Sequence, residues 1–378
     1  MRAPGIPTWV SPASACPTPG LHPRTVPAQG IPGLGIHALA VPAFWAGSAL
    51  PDLLRLLAVF VLAVVAWGYL VEPRWLRVRA YRLSLGADAR GGRPVPLPIP
   101  RPPKRPVGSR STRAAGPAAK GAPPSPAARE GVTASPATLR AAAARPSRLR
   151  LAHLTDLHAP VYRVSEAALL RWIEAWQPDA VVFTGDLAEG KGLPARRGVE
   201  LLRRLARRWP VYLVPGNHDH LYGWSRLRRE LEGTGVHLLV NQGARLEQGP
   251  VGIYLAGVDD PHTGRDDLGA ALAGAPPGWP VVLLAHAPAG GIRRAAAGLG
   301  AGLVLAGHTH GGQVRLPLLG ALWIPGQGWF PTYDRGWFQV GGTWWFIAAG
   351  LGTPRPWIRL LCRPELVLLE LVLGEEGR

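Results

Sequence analysis

The alternation of hydrophobic and polar positions divides this chain into one long apolar run and, after residue 147, a series of short ones. The long run, Leu53–Val71, is apolar throughout except for Arg55. A helix of this length extends about 28 Å, close to the ~30 Å apolar core of a bilayer. No polar face interrupts the run after Arg55, and no small-residue cleavage signature follows it. The pattern predicts an uncleaved transmembrane helix over residues 53–72, with a buried helix of a soluble domain as the alternative.

Five short runs rich in Val and Leu follow, and each ends in polar residues. Their sequences are "RLRLAHLTDLH", "DAVVFTGD", "PVYLVPGNHD", "PVVLLAH" and "AGLVLAGHTH". Such runs are typical of strands buried on both faces of a sheet. In α/β folds the carboxyl ends of these strands are where sites are built. The candidate site residues at these ends are Asp156, His158, Asp186, Asn217, His218, Asp219, His286, His308 and His310.

Two segments between these runs have the apolar spacing of helices. Ser165–Gln177 begins with a typical N-cap residue and places Leu169 and Ile173 on one face. Arg196–Trp209 has similar spacing and an arginine-rich outer face, which we interpret as solvated surface. The alternation of strand and helix predicts a layered α/β domain over residues 148–378.

Composition changes the picture for the first 147 residues, where many of the 41 prolines and 48 glycines lie. Residues 1–52 form a low-complexity tail without periodicity, to which we assign no fold. Residues 73–147 are rich in Pro and Ala and have few large apolar residues, which predicts a disordered basic linker. Between positions 73 and 150 there are 17 Lys and Arg against two acidic residues, so this stretch carries +15 of the chain's net charge of +18.

This uneven charge bears on partners and on membrane orientation. A basic segment without a fold beside a membrane helix favours contact with anionic headgroups, and nucleic acid is the weaker alternative. Four arginines lie within about 15 residues after the apolar run, whereas the flank before it has none. Because arginine in the flanks sets topology, we expect a single-pass protein of the cell membrane with its carboxyl side in the cytoplasm. These four arginines are Arg74, Arg77, Arg79 and Arg82.

The donor groups at the strand ends indicate a metal site. If the strand "AGLVL" continues as extended chain, His308 and His310 point the same way and could bind one ion, whereas a polar turn is the alternative. Carboxylates, an amide and imidazoles without a thiolate suit two divalent ions such as Mn, Fe, Zn or Co. Two such ions ~3.5 to 4 Å apart can hold a hydroxide and neutralise a phosphoryl group.

The motifs "DLH", "GD", "GNHD", "LLAH" and "GHTHGGQ" occur in the order and approximate spacing of the calcineurin-like metallophosphoesterases, which residues 148–370 therefore resemble. The segment from Gly342 onward resembles the bacterial membrane-anchored branch of that family. "HAP" stands here where that branch often has "HNP", and the basic insertion is longer than in that branch. The resemblance implies a four-layer α-β-β-α sandwich with two mixed sheets as the catalytic domain over residues 148–378.

The resemblance also implies roles for the candidate residues. One metal ion would be bound by Asp156, His158, Asp186 and His310, with Asp186 bridging to a second ion bound by Asn217, His286 and His308. His218 would contact the phosphate and protonate the leaving oxygen, and Asp219 would orient His218.

The activity implied is phosphoester hydrolysis by a metal-bound hydroxide without a covalent enzyme intermediate. A membrane anchor favours a lipid-linked phosphoester or pyrophosphate as the substrate. The alternatives are a nuclease or nucleotide phosphodiesterase, and a non-catalytic metal-binding scaffold. A serine/threonine protein phosphatase is disfavoured, because "GDLAEG" and "GNHD" differ from the "GDYVDRG" and "GNHE" of those enzymes.

Overall fold

The computed structural model describes residues 52–86, 92–102, 147–248 and 251–373. Apart from Asp52, the tail expected over residues 1–52 lies outside the described residues, as do residues 103–146 of the expected linker. From Leu56 onward the described chain belongs to one compact unit.

Seven α-helices occur in the described residues. Helix α1 covers the long apolar run, and most of its described side chains are exposed. By length and composition it is the one described helix able to cross a membrane. The helices are α1 Asp52–Leu70, α2 Glu166–Trp176, α3 Arg196–Ala206, α4 Asn217–Tyr222, α5 Trp224–Leu231, α6 Leu268–Leu272 and α7 Gly290–Gly298.

Seventeen strands form two large sheets and two small hairpins within the described chain. In order they are β1 Arg77–Leu85, β2 Val95–Pro96, β3 Ser147–Leu154, β4 Ala180–Thr184, β5 Val211–Val214, β6 Val236–Leu238, β7 Gln242–Gln248, β8 Val251–Gly257, β9 Val281–Leu284, β10 Ala301–Ala306, β11 Arg315–Leu316, β12 Gly320–Ala321, β13 Trp323–Ile324, β14 Gly328–Trp329, β15 Gly336–Val340, β16 Thr343–Ile347 and β17 Glu365–Leu373.

Both large sheets are mixed. The first has the order β2-β1-β17-β3-β4-β5-β6, in which β3 to β6 are parallel and β17 is antiparallel to β3. The second has the order β15-β16-β10-β9-β8-β7, in which β16, β10, β9 and β8 are parallel. The hairpins β11–β12 and β13–β14 lie outside these sheets.

Three apolar clusters arrange these elements into four layers. The central cluster joins side chains of both sheets, among them Leu151, Val182 and Leu305. A second cluster packs α2 and α3 on the outer face of the first sheet, and a third packs α6 and α7 on the outer face of the second. The order helix, sheet, sheet, helix confirms the predicted α-β-β-α sandwich.

The strands and helices predicted from the apolar runs are present. The five runs that end in polar residues form β3, β4, β5, β9 and β10. The two predicted helices are α2 and α3, and the hydroxyl of Ser165 accepts the N–H of Ala168 as the N-cap of α2.

The structure differs from the expected linker at its amino end. Residues Arg77–Leu85 form β1, which pairs along its whole length with β17 inside the first sheet. The sequence "RVRAYRLSL" alternates polar and apolar residues over its first four and its last four positions, which suits a strand. Averaging composition over residues 73–147 hides this short pattern. The folded domain therefore includes a strand that directly follows α1 and the turn Glu72–Arg74.

Arginines of β1 and β3 meet a buried carboxylate of β17. Glu370, with 2% of its side chain exposed, lies 2.7 Å from Arg82, 3.4 Å from Arg148 and 3.3 Å from Arg150. Burial alone would raise the pKa of the Glu370 carboxyl, but the hydrogen bond from Arg82 and the arginine charges outweigh burial and lower it. Arg82, predicted to be linker surface, thus joins Arg148 and Arg150 in holding three strands together.

We expect Glu370→Gln to lower the free energy of unfolding by about 1 to 3 kcal/mol at pH 7, because three arginines lose their buried partner. Since the folded-state pKa is lowered, the stability that Glu370 adds is complete above its unfolded pKa of about 4.3 and is lost as pH falls through the folded value. The difference between wild type and variant should therefore shrink below about pH 4. Urea unfolding in detergent at several pH values measures this difference. The control is Glu247→Gln, at an exposed position of β7.

Candidate metal centre

The ends of strands from both sheets deliver the candidate residues to one place. The loops after β3 and β4 bond to each other, since the N–H of Asp156 donates to the Gly185 carbonyl and that of His158 to the Asp186 carbonyl. Helix α4, which follows β5, begins at Asn217 and contributes His218. The loops after β9 and β10 of the second sheet supply His286, His308 and His310.

The first group of donors is Asp156, His158, Asp186 and His310, whose candidate ligand atoms all lie within 4.8 Å of one another. All four residues are buried. The Nε2 atoms of His158 and His310 are 3.0 Å apart, and His310 Nε2 lies 3.3 Å from an Asp156 oxygen. These four are the residues that the resemblance assigns to the first ion.

The second group is Asp186, His286 and His308, again within 4.8 Å. Asn217 joins it, because its Oδ1 lies 3.1 Å from His286 Nε2 and 3.1 Å from His308 Nδ1. Asp186 therefore belongs to both groups. The structure brings all seven predicted ligands together and divides them as the resemblance implies, while their binding of metal stays a prediction.

The backbone at this centre is held in an uncommon conformation. Five of the seven candidate ligands have positive φ, a region that few residues other than glycine occupy. Such residues cost about 1 to 3 kcal/mol each and persist only where surrounding contacts fix them. Sharp turns at the strand ends are thus part of how the donors are aimed inward. The five are Asp156 (50°), His158 (51°), Asp186 (57°), His308 (68°) and His310 (50°).

The left-handed turns also correct the expectation for "GHTHGGQ". Strand β10 ends at Ala306, and the next residues turn instead of continuing as extended chain. His310 begins a short 3-10 turn, His310–Gly312. The two imidazoles therefore belong to different donor groups, and not to one site as strand periodicity suggests.

Partners behind two imidazoles fix which nitrogen faces the centre. His286 Nδ1 lies 2.8 Å from the Thr184 carbonyl, which can only accept, so Nδ1 carries the proton. His158 Nδ1 lies 2.8 Å from the Glu189 carboxylate. Nε2 of both rings is then the nitrogen that faces the donor groups, an arrangement typical of metal-binding histidines.

Buried carboxylates and imidazoles perturb one another here. For Asp186, burial raises the pKa but the neighbouring His286 outweighs it, so the pKa lies well below its ordinary range. For His286, burial lowers the pKa but Asp186 outweighs it and raises the pKa to about 10. Burial lowers the pKa values of His308 and His310 well below the usual range, helped by neighbouring imidazoles. The imidazoles of His308 and His310 are thus neutral, and the carboxylate of Asp186 is ionised.

His218 and Asp219 do not form the expected pair. His218 Nδ1 lies 2.6 Å from the Glu189 carbonyl, so Nδ1–H donates there and Nε2 is the atom left for other contacts. The Asp219 carboxylate instead accepts the backbone N–H groups of Asp186 at 2.9 Å, Ala188 at 2.9 Å and Gly216 at 3.0 Å. Successive residues of a helix point about 100° apart, which separates the two side chains. Asp219 positions the loop that carries Asp186.

Two contributing residues were missed by sequence reasoning. Glu189 supports His158 through its side chain and His218 through its carbonyl. Arg359 is fully buried, and its Nη2 donates to the Ala349 carbonyl and lies 3.5 Å from His310 Nδ1. The carboxylate in "GDLAEG" was a usable signal for Glu189, whereas no local pattern marks Arg359.

The donor groups open into a cleft of about 900 Å³. Its lining includes Asp186, Asn217, His218, His308 and His310. The cleft also has two cationic side chains, Lys191 and Arg355. The rest of its lining is mostly apolar, and we call these residues the apolar side of the cleft: Leu193, Val314, Leu322, Trp323, Pro325, Pro354, Pro356 and Ile358. The cleft is suited to a ligand with one anionic and one apolar part.

The donor set fits divalent metal. Among the described ion pairs, Asp156 and Asp186 contact only histidines. Several lone-pair atoms face each other at 3.0 to 3.2 Å, including His308 Nδ1 and His286 Nε2. A shared cation would satisfy these atoms together, and nitrogen and oxygen donors without thiolate favour a borderline divalent ion.

Comparison with known proteins points the same way. The calcineurin-like phosphoesterase family profile matches residues 149–312. The uncharacterized metallophosphoesterase YkuE of Bacillus subtilis is 29% identical over 228 residues, covering 58% of this chain and 78% of that protein. Phosphodiesterase YaeI of Escherichia coli is 31% identical over 231 residues, covering 58% and 80%. A transmembrane protein with a metallophosphoesterase domain from Bos taurus is 30% identical, covering 58% and 52%.

We expect Asp219→Asn to loosen the donor groups. The amide replaces one acceptor oxygen with an NH₂ group that faces a backbone N–H, which costs about 1 to 3 kcal/mol of unfolding free energy. Divalent metal affinity should fall by roughly 10 to 100-fold, as for other groups that support ligands. Calorimetric titration with Mn²⁺ measures this, and Asp266→Asn, whose carboxylate forms no hydrogen bond or ion pair with the described residues, is the control. Unchanged affinity would show that Asp219 does not position the centre.

Proposed function

This chain belongs to the calcineurin-like metallophosphoesterases, a family of hydrolases of phosphoester bonds, and we propose that it is a dinuclear-metal phosphoesterase acting on a membrane-associated, lipid-linked phosphoester. The observation that carries the dinuclear centre is the pair of donor groups that share Asp186. The anchoring and the lipid substrate are supported by α1 and by the apolar side of the cleft.

In this proposal Asp156, His158, Asp186 and His310 hold one ion, and Asp186, Asn217, His286 and His308 hold the other. Mn, Fe, Zn and Co all suit these donors. When bound, the two ions would supply a nucleophilic water at neutral pH and positive charge against the phosphoryl oxygens.

Side chains of the cleft would bind the substrate and protonate its leaving oxygen. His218 lines the cleft, and its Nδ1–H is held by the Glu189 carbonyl. Its Nε2 is therefore the atom from which a proton can pass to the leaving oxygen, as general acid catalysis requires. Lys191 and Arg355 also line the cleft and would attract the anionic end of the substrate.

We propose that α1 anchors the enzyme in the cell membrane with the domain on the cytoplasmic face. Arginines that follow α1 support this orientation. Arg79 and Arg82 of this flank are paired with Glu365 and Glu370 in the folded domain, while Arg74 is exposed. Protease added to intact spheroplasts measures the orientation, and digestion of the domain without lysis would contradict it.

We expect the full chain with added Mn²⁺ to hydrolyse an activated aryl phosphodiester and Asp186→Ala to abolish this. His218→Asn should keep both metal ions, because His218 is not among the proposed ligands, but should slow hydrolysis by roughly 10² to 10⁴. Substrates with good leaving groups should be affected least. Elemental analysis and kinetics on the same preparations separate the roles.

Metal loss from His218→Asn would make His218 a ligand. A metal-loaded wild type without turnover on a broad phosphoester panel would favour the non-catalytic scaffold over the enzyme.

For substrate class, we expect the full chain in proteoliposomes to release phosphate or phosphoester from a membrane lipid extract faster than from RNA, single-stranded DNA or cyclic nucleotides. The apolar side of the cleft gives an acyl or prenyl chain a surface to occupy. The basic segment before β3 is the observation that favours a nuclease or nucleotide phosphodiesterase. Preferential cleavage of nucleic acid would replace the lipid proposal, and Asp186→Ala is the control for contaminating activity in both arms.

A further inference from the structure

An exposed apolar surface lies beside the cleft. Outside α1, twelve large hydrophobic residues of the described chain are exposed, and seven of them fall between positions 316 and 361. Leu318 is fully exposed at the tip between β11 and β12, with a φ of 65°. Monomeric soluble proteins rarely leave such groups together in water. We name as the rim surface Leu316, Leu318, Leu319, Trp323, Trp329, Phe330 and Leu361.

The rim surface is tied to the carboxyl end of α1. The N–H of Arg359 donates to the Gly68 carbonyl at 3.0 Å. A Cβ at Gly68 would lie 2.8 Å from Ile358 Cγ1, so the last turn of α1 packs directly on this segment. The next residue, Leu360, pairs with the chain that enters the β11–β12 hairpin, since its N–H donates to the Gln313 carbonyl and its carbonyl accepts the N–H of Arg315.

If α1 crosses a bilayer, these contacts fix how far the β11–β12 hairpin lies from the apolar core. The 19 residues of α1 extend about 28 Å, so the whole helix is needed to cross a ~30 Å apolar core. Gly68 in its last turn must then lie at the edge of that core. Ile358 to Leu361, which contact this turn and Glu72, lie at the same edge.

The chemistry of the surrounding residues suits the lipid interface. Tryptophan, phenylalanine and leucine are enriched where chains meet headgroups. Trp75 follows α1 and is exposed, with the Arg363 guanidinium 4.3 Å above its ring. Arg74, next to Trp75, and Arg355, three residues before Ile358, are exposed. Such cations are attracted to anionic headgroups.

We infer that the rim surface inserts into the leaflet next to the end of α1, so that the cleft opens at the lipid interface. This rests on the proposed anchoring by α1. Trp323 belongs both to the rim surface and to the cleft lining, so the apolar side of the cleft continues into the inserted surface. A phosphoester with an apolar chain can enter from the leaflet with its phosphate toward His218 and its chain along Leu322 and Trp323.

The test uses the full chain, with Cys16→Ser, at one chain per nanodisc of phosphatidylcholine and phosphatidylglycerol. Leu318→Cys carries an environment-sensitive fluorophore, and Leu299→Cys, an exposed leucine after α7, is the matched control. Cys362 is buried and is not labelled. Because interfacial insertion reaches ~5 to 10 Å into the leaflet, acyl-chain spin labels should quench the probe at 318 and not at 299.

If spin-labelled lipid quenches the probes at 318 and 299 equally, this would overturn the inference. So would a probe at 318 that is shielded from aqueous iodide without being quenched by lipid, because another part of the chain would then cover the surface. Shielding at 318 that needs two chains per disc would replace the leaflet with a second copy.

Kinetics separate this inference from the proposed function. Leu318→Asp with Leu319→Asp should lower kcat/KM on a vesicle-borne lipid phosphoester by roughly tenfold and leave a soluble aryl phosphodiester unchanged. Leu299→Asp should change neither. Lipid quenching at 318 without phosphoester turnover would support the inserted surface while removing the proposed activity. Turnover of the lipid substrate unaffected by the two aspartates would overturn the inference alone.

Discussion

Two buried carboxylates, Asp156 and Asp186, lie with their donor atoms within 4.8 Å of the same histidines, and this concentration of negative charge is the constraint on which the rest depends. An uncompensated buried charge is among the most expensive features a fold can contain. Backbone N–H groups provide part of the compensation, from His308 to Asp156 at 3.0 Å and from His218 to Asp186 at 2.8 Å. Imidazoles provide more, and divalent cations bound by the same donors would complete it.

The loops are shaped by this requirement. Backbone N–H groups can reach a buried carboxylate only if the chain passes very close, and a Cβ at Gly216 would lie 2.2 Å from Asp186 Oδ1. At Gly307 a Cβ would lie 2.2 Å from Asp156 Oδ2. The left-handed residues at the strand ends turn the chain at the points where these approaches occur. The backbone strain is therefore confined to the turns that direct the candidate ligands inward, while the strands of both sheets keep regular pairing.

Much of the fold follows from local pattern, because buried parallel strands need continuous apolar runs and leave their polar groups at the carboxyl end. That rule locates β3, β4, β5, β9 and β10 and all seven candidate ligands. It fails for β1, whose arginines look like solvated linker until Glu370 and Glu365 on a strand almost 290 positions away are considered.

The same limit applies inside the site. Whether His308 and His310 share an ion depends on a turn that the strand period does not describe. Asp219 lies beside His218 in sequence, yet its carboxylate accepts the N–H groups of Asp186 and Ala188 in the loop after β4, besides that of the N-cap residue Gly216. Roles that depend on contacts between distant segments cannot be read from a single motif, whereas residue types at strand ends can.

Arg359 joins the candidate metal centre to α1, through its buried side chain on one side and its backbone N–H on the other. Its guanidinium donates to the carbonyls of Ala349 and Cys362 and lies 3.5 Å from His310, while its backbone N–H holds the end of α1. Burial lowers the pKa of Arg359, and each nitrogen of its guanidinium donates to a backbone carbonyl, Nε to Gly352, Nη1 to Cys362 and Nη2 to Ala349. The segment between Gly350 and Cys362 is thereby fixed on both sides. A rigid link of this kind keeps the distance between the donor groups and the end of α1 constant, which a flexible tether between anchor and domain could not do.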